Sequence, residues 1–266
     1  MSSPVSQLPY EPVVYDKLEG PDDAYKKFCS LSGEQRIMND LKAIFCAHEM
    51  WDCFGLTLLH RHFPMSDDER LVAVDGVSVP WTVEIIEQVN EGSMVPGGSV
   101  VAQAFILDAG GNGFYPFEYS YIGQDSEKVH PHVPSISLAS APLAFLKDIG
   151  EALVKFGLEE LLGLRAHPGS LTAPRLEFTS DRANITVPIK DFSELQAKTI
   201  PTSWYFQNPK QVRCSSRCTV YCNTNCVRLN GCFPTRDGRN HEYTNAHTGR
   251  RGHAGSQSHY SNHFDL

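Results

Sequence analysis

A break in composition near position 205 constrains this chain more than any other feature. The residues before it carry apolar side chains at helical and strand spacings, whereas 206–266 are poor in Leu, Ile and Val and rich in Asn, Ser, Gly, Arg, Cys and His. A segment with so few large apolar side chains cannot offset its chain entropy by burial alone. The folded core must therefore come from the first part. Charge divides at the same place: 15 Lys/Arg stand against 28 Asp/Glu up to residue 205, and 8 against 3 beyond it, so the overall net charge of −8 hides an acidic body and a basic tail. The expected organisation is an extended N-terminal arm over 1–21, marked by Pro4, Pro9, Pro12 and Pro21, an α+β body over 22–205, and a Cys/His-rich, largely irregular tail over 206–266.

Within the body, Asp22 and Asp23 cap a short helix to about Cys29, and Ser32-Gly-Glu-Gln35 has capping-box spacing for a longer one. Ile37, Leu41, Ile44, Phe45 and His48 share a face of that helix. Strand signals follow at Phe54–Phe63, Leu71–Val74, Val77–Glu84, Val100–Leu107 and Phe114–Ile122, with Asp75-Gly76 as a hairpin turn. A second amphipathic helix is expected over roughly 141–163, ended by Pro168-Gly169, and a last hairpin over Leu176–Thr179 and Ala183–Ile189 turns at Ser180-Asp-Arg182. This pattern predicts an antiparallel sheet or small barrel flanked by two main helices. No run approaches the ~18 apolar residues of a membrane span, and the first ten residues lack the basic and apolar parts of a secretory signal. The expectation is a cytoplasmic protein with no membrane partner.

His60 and His62 stand two apart in Phe54-Gly-Leu-Thr-Leu-Leu-His-Arg-His-Phe63. On a strand both rings leave the same face. Two converging imidazoles begin a mononuclear Zn or Fe site that needs one or two more ligands, and His48 and Glu69 are the nearest candidates, with Asp52 or Asp67 placed to orient an imidazole. The bland alternative is a pair of hydrogen-bonded histidines at a sheet edge. His130-Pro-His132 repeats the spacing, but its prolines predict an exposed loop.

The run from Gly55 through His60, His62 and Glu69 to Gly76 resembles the first metal-binding motif of the cupins, in which a Gly, two His one residue apart, a Glu and a Gly span a strand pair of a small barrel. The resemblance implies His60, His62 and Glu69 as metal ligands. It covers about twenty-two residues, six rather than three or four lie between His62 and Glu69, and Val101 stands where the second motif would place a further His. The longer passage from Cys46-Ala-His-Glu49 to Phe63 is similar to sequences from filamentous fungi, a likeness that implies a source and no mechanism.

Gly110-Gly-Asn-Gly113 lacks the Lys-Ser/Thr ending of a phosphate loop. No Gly-x-Ser-x-Gly elbow occurs either. Cys46 and Cys53 flank His48, but residues 46 and 48 point to different sides of a helix, which favours inert thiols. In the tail, Cys214, Cys218, Cys222 and Cys226 recur every fourth residue, followed by Cys232 and five histidines. A metal-organised tail, a disulfide-linked one and a disordered one with free thiols all fit this pattern. Two functions follow as expectations. The first is a metal-dependent enzyme acting on a small-molecule ligand, oxygenase- or hydrolase-like, built on a divalent Zn or Fe ion at His60 and His62. The second is a non-enzymatic zinc-binding protein whose basic tail contacts a protein or nucleic-acid partner.

Overall fold

The computed structural model describes residues 6–111, 113–123, 137–167, 174–189, 199–208 and 211–219. The chain opens with strand β1 (Ser6–Gln7) and helices α1 (Pro12–Asp16) and α2 (Pro21–Ser30). Helix α3 (Gly33–Arg36) runs through a π turn (Ile37–Leu41) into α4 (Lys42–Ala47). Then come β2 (Phe54–Leu58), β3 (Glu69–Val74), β4 (Val77–Thr82), α5 (Val83–Asn90), β5 (Ser99–Leu107) and β6 (Gly113–Ile122). After a 3-10 turn (Leu138–Ser140) follow α6 (Leu143–Phe156), β7 (Leu162–Ala166), β8 (Arg175–Ser180), β9 (Ala183–Pro188), β10 (Thr199–Asn208) and β11 (Gln211–Thr219).

The strands form one sheet in the order β1-β6-β3-β4-β9-β8-β11-β10-β2-β7-β5, and β5 also pairs with β6. A sheet whose last strand pairs with an early one has curled round on itself, giving the barrel-like form expected of the α+β body. Most pairs are antiparallel, but β1 and β3 run parallel to β6, and β11 runs parallel to β8. Asp75 (φ 49°) and Gly76 (φ 86°) supply the left-handed conformations that the β3–β4 turn needs.

One face of the curled sheet is apolar and lies under helices. Leu56 and Leu58 of β2, Phe105 of β5, Leu162 and Leu164 of β7 and Phe206 of β10 share a core with Phe28, Phe45, Phe145 and Ile149 from the helices. Phe45 sits 4.5 Å from Phe206 and 5.2 Å, edge-on, from Phe145. Because side chains alternate along a strand, the residues between these point the other way, toward the concave side: Gly55 and Thr57 on β2, Ala104 on β5, Gly163 and Arg165 on β7, and Tyr205 on β10. A second cluster, in which Tyr15 and Leu18 of the N-terminal segment meet Leu59, Leu71, Ala104, Ile106 and Phe117, fills part of that side. The arm expected to be extended is thus partly helical and buried at Tyr15.

Several expectations need correction. Ser32 takes a left-handed conformation (φ 56°) and makes no capping bond. The corner there is set by packing, since a side chain on Gly33 would run into the Phe28 ring. The helix expected to reach about 163 stops at Gly157 (φ 67°), where the Leu158 N–H bonds the Leu153 carbonyl in a Schellman arrangement, and the following apolar run is β7. Thr82 caps α5 by accepting from the Ile85 N–H, so the strand expected to reach Glu84 ends at Thr82. The sheet also crosses position 205: β10 passes through it and β11 carries the pairing to Thr219. No helix among the described residues is long and apolar enough to cross a membrane.

Gly55 sits where the fold leaves no room for a side chain. An added Cβ would come within 2.5 Å of the Trp204 carbonyl oxygen and would run into the Tyr205 ring. Gly55→Ala is expected to destabilise the protein by at least about 1–3 kcal/mol, the range for forcing a methyl group into a filled site. Urea unfolding with a midpoint equal to wild type would contradict this packing.

Candidate metal centre

The two histidines lie just past the end of β2, where the chain turns away from the sheet. Leu59 still donates to the Leu161 carbonyl, but Arg61 donates to Glu19, so the strand pairing has ended. They do not share a strand face as expected. Their rings meet all the same, edge to face with centroids 4.8 Å apart and the two Nε2 atoms 3.1 Å apart. His60 Nδ1 lies 2.8 Å from the Leu58 carbonyl oxygen. A carbonyl can only accept, so Nδ1 carries the proton and Nε2 presents a bare lone pair. Burial, reinforced by the neighbouring His62, pushes His60 down to about 4, so its ring is neutral at pH 7.

The third member of the group comes from β8. Glu177 places Oε1 3.4 Å from His62 Nε2, with the His62 side chain only 4% exposed. Adjacent strands lie about 4.8 Å apart, so on a flat sheet β8, three pairings from β2, would be roughly 14 Å away. The contact exists because the sheet curls. Burial alone would raise the Glu177 pKa, but the hydrogen bond with His62 and the charges of His62, His60 and Arg165 outweigh it and hold the carboxyl well below its usual range. His60, His62 and Glu177 thus offer three ligand atoms within 4.8 Å of one another, and the group could hold a metal ion. Separations of 3.1 and 3.4 Å are what two ligands about 2.0–2.1 Å from one ion show at angles of roughly 100–110°.

Beside this group lies a row of residues in register across four strands: Gly55 on β2, Arg165 on β7, Ala104 on β5 and Glu118 on β6. Small Ala104 lets the guanidinium pass over it to Glu118, with Nη1 2.7 Å from Oε2. Tyr205, whose ring covers Gly55, donates to the Ala166 carbonyl and also interacts with Arg165. The charge of Arg165 reaches both His60 and Glu177.

The other candidate ligands lie elsewhere. Glu69 is held at the start of β3 by Arg182, with Nη1 3.1 Å from Oε1, and by the Ser66 N–H at 2.8 Å, and the Arg182 hydrogen bond lowers its pKa. It stands outside the three-residue group. His48 Nε2 lies 2.8 Å from Asp148 Oδ2 on α6, with its ring edge-on to Phe145. Asp52 accepts from the Cys53 thiol, and the Asp67 carbonyl accepts from Arg70. Cys214 and Cys218 sit on β11, in register with Trp204 and Ile200 of β10. Cys222, Cys226, His130 and His132 lie outside the described residues.

Glu177, Arg165 and Glu118 were not singled out from the sequence. A signal was present for each: a charged side chain flanked by apolar ones in a strand, as in Leu-Glu-Phe and Leu-Arg-Ala. For Arg165 the overlong helix hid it.

The direction of the two shifts sets a pH dependence. Folded His60 and Glu177 bind protons less readily than they do unfolded, so stability is present at neutral pH and lost as pH falls, for His60 between 6.5 and about 4 and for Glu177 below 4.5. One such group contributes a slope of at most about 1.4 kcal/mol per pH unit. His60→Gln is expected to flatten the loss between pH 6.5 and 4 in urea titrations, and a slope identical to wild type would show that this imidazole is not buried as described. Comparison with protein-family models, with curated proteins and with solved structures finds no match to this chain.

Proposed function

We propose that the protein is a metal-dependent enzyme acting on a small molecule, with an oxygenase- or hydrolase-like reaction at a divalent zinc or iron ion held by His60, His62 and Glu177. The observation that carries this reading is the convergence of a lone pair on His60 Nε2, the Nε2 of His62 and a carboxylate oxygen at spacings that suit one ion. Two imidazoles and one carboxylate occupy three positions and leave others open, the donor set used both by hydrolytic zinc and by non-haem iron. A bound ion of this kind polarises a substrate oxygen or lowers the pKa of water. The protein orients the site through the Leu58 carbonyl, which fixes the His60 tautomer. In this reading Glu177 takes the position that the cupin resemblance gave to Glu69.

Metal analysis of the full chain tests the assignment. Removing residues beyond 205 would delete β11, which stands between β10 and the strand that carries Glu177. Cobalt(II) titration is expected to show one site with nitrogen and oxygen ligation, distinguishable by its visible spectrum from thiolate ligation in the cysteine-rich segment. His60→Ala and Glu177→Gln should each weaken that site at least tenfold, whereas Glu69→Gln should leave its affinity within threefold. A cobalt site insensitive to His60 and Glu177 would remove the basis for the reading.

A further inference from the structure

The short run from Leu59 to Phe63 serves two neighbours at once. Leu59 and Phe63 join the apolar cluster that holds Tyr15 and Leu18 of the N-terminal arm, and Arg61 between them lies 3.5 Å from Asp16. The residues in between, His60 and His62, meet each other, and His62 meets Glu177. Odd positions thus belong to the arm and even positions to the candidate centre.

The arm also bonds the backbone of this run. Strand pairing ends at Leu59, and beyond it the Arg61 N–H donates to the Glu19 carbonyl at 2.9 Å while the Phe63 carbonyl accepts from the Tyr15 hydroxyl at 3.3 Å. Backbone groups in a protein interior need partners, so the path of the chain through both histidines follows the place where it meets Tyr15 and Glu19. A metal site is sensitive to such a path, because its ligand distances hold to within about 0.2 Å.

The arm itself is lightly held. β1 pairs with β6 through Ser6 and Gln7, and α1 has five residues and no side-chain cap. A helix so short has little stability of its own. From Gln7 to Glu19 the buried residues are Tyr15 and Leu18. Segments with few buried contacts open locally, without unfolding of the whole.

We propose that residues 8–19 are a latch on the metal centre: docking of Tyr15 and Leu18 against Leu59 and Phe63 holds His60 and His62 at ligating spacing, and lifting the arm lets the ion go. The inference rests on the metal-centre reading above and adds how that site is regulated. Coupling between two sites is reciprocal, so the ion in turn holds the arm down.

The test uses the full chain and cobalt(II), followed at the site that His60→Ala removes. Leu18→Ala loosens the arm and is expected to weaken cobalt binding at least about fivefold, the lower end of ordinary coupling between sites. Leu146→Ala, which empties a similar volume in the core beneath the helices, should leave cobalt affinity within about twofold, as a distant and independent site would. A second measurement needs no variant and decides the matter should Leu18→Ala fail to fold. In the wild-type chain, saturating cobalt should slow hydrogen exchange at the Leu18 and Arg61 amides at least about fivefold more than at the amides of α6. A smaller effect in either measurement, or a loss of affinity in Leu146→Ala equal to that in Leu18→Ala, overturns the latch and leaves the metal centre standing. If His60→Ala removes no cobalt site, both readings fall together.

Discussion

A guanidinium inside a sheet is tolerable only if it is paired, and the pairing of Arg165 with Glu118 is the constraint around which the concave side of this protein is organised. The bond spans β7 and β6 across β5, so the residue between them has to be as small as Ala104. The neighbour on the other side has to be Gly55, because the Tyr205 ring that reaches toward Arg165 lies where its side chain would be. Removing either charge strands the other. The alternation that points Arg165 inward turns Leu162 and Leu164 outward, into the core beneath the helices. Covering the convex face and equipping the concave face are thus one sequence pattern read at two parities.

The same alternation explains why the fold was largely legible in the sequence. Apolar runs bounded by Asp-Gly and Ser-Asp-Arg turns became strands, and the helical stripe from Ile37 to Phe45 became buried structure as its spacing required. Failures came where local pattern was ambiguous. Leu161-Leu-Gly-Leu fits helix and strand equally, and only the left-handed Gly157 decides against continuing the helix. The stretch beyond 205 is poor in aliphatic residues, yet its first part forms β11 because pairing with β8 and β10 supplies backbone hydrogen bonds independent of side-chain composition.

The candidate site was half legible. His60 and His62 announce themselves by spacing, although the structure brings them together beyond the strand end rather than on its face. Glu177 lies more than a hundred residues later, and no local rule joins it to them. Glu69, near in sequence and favoured by the cupin-like spacing, found Arg182 first. Carboxylates pair with whatever cation the fold presents, and which one that is depends on how tightly the sheet curls.

The strand order also sets a schedule for the site. Glu177 is made before β10 and β11, yet those two strands fill the gap between β8 and β2. Before residues 199–219 have left the ribosome, the described strands join the one bearing the carboxylate to the one that leads into the histidines only by the long way round, through β9, β4, β3, β6, β5 and β7. The last two strands add the short link, so the spacing of His60, His62 and Glu177 is held from both sides only once the sheet is complete.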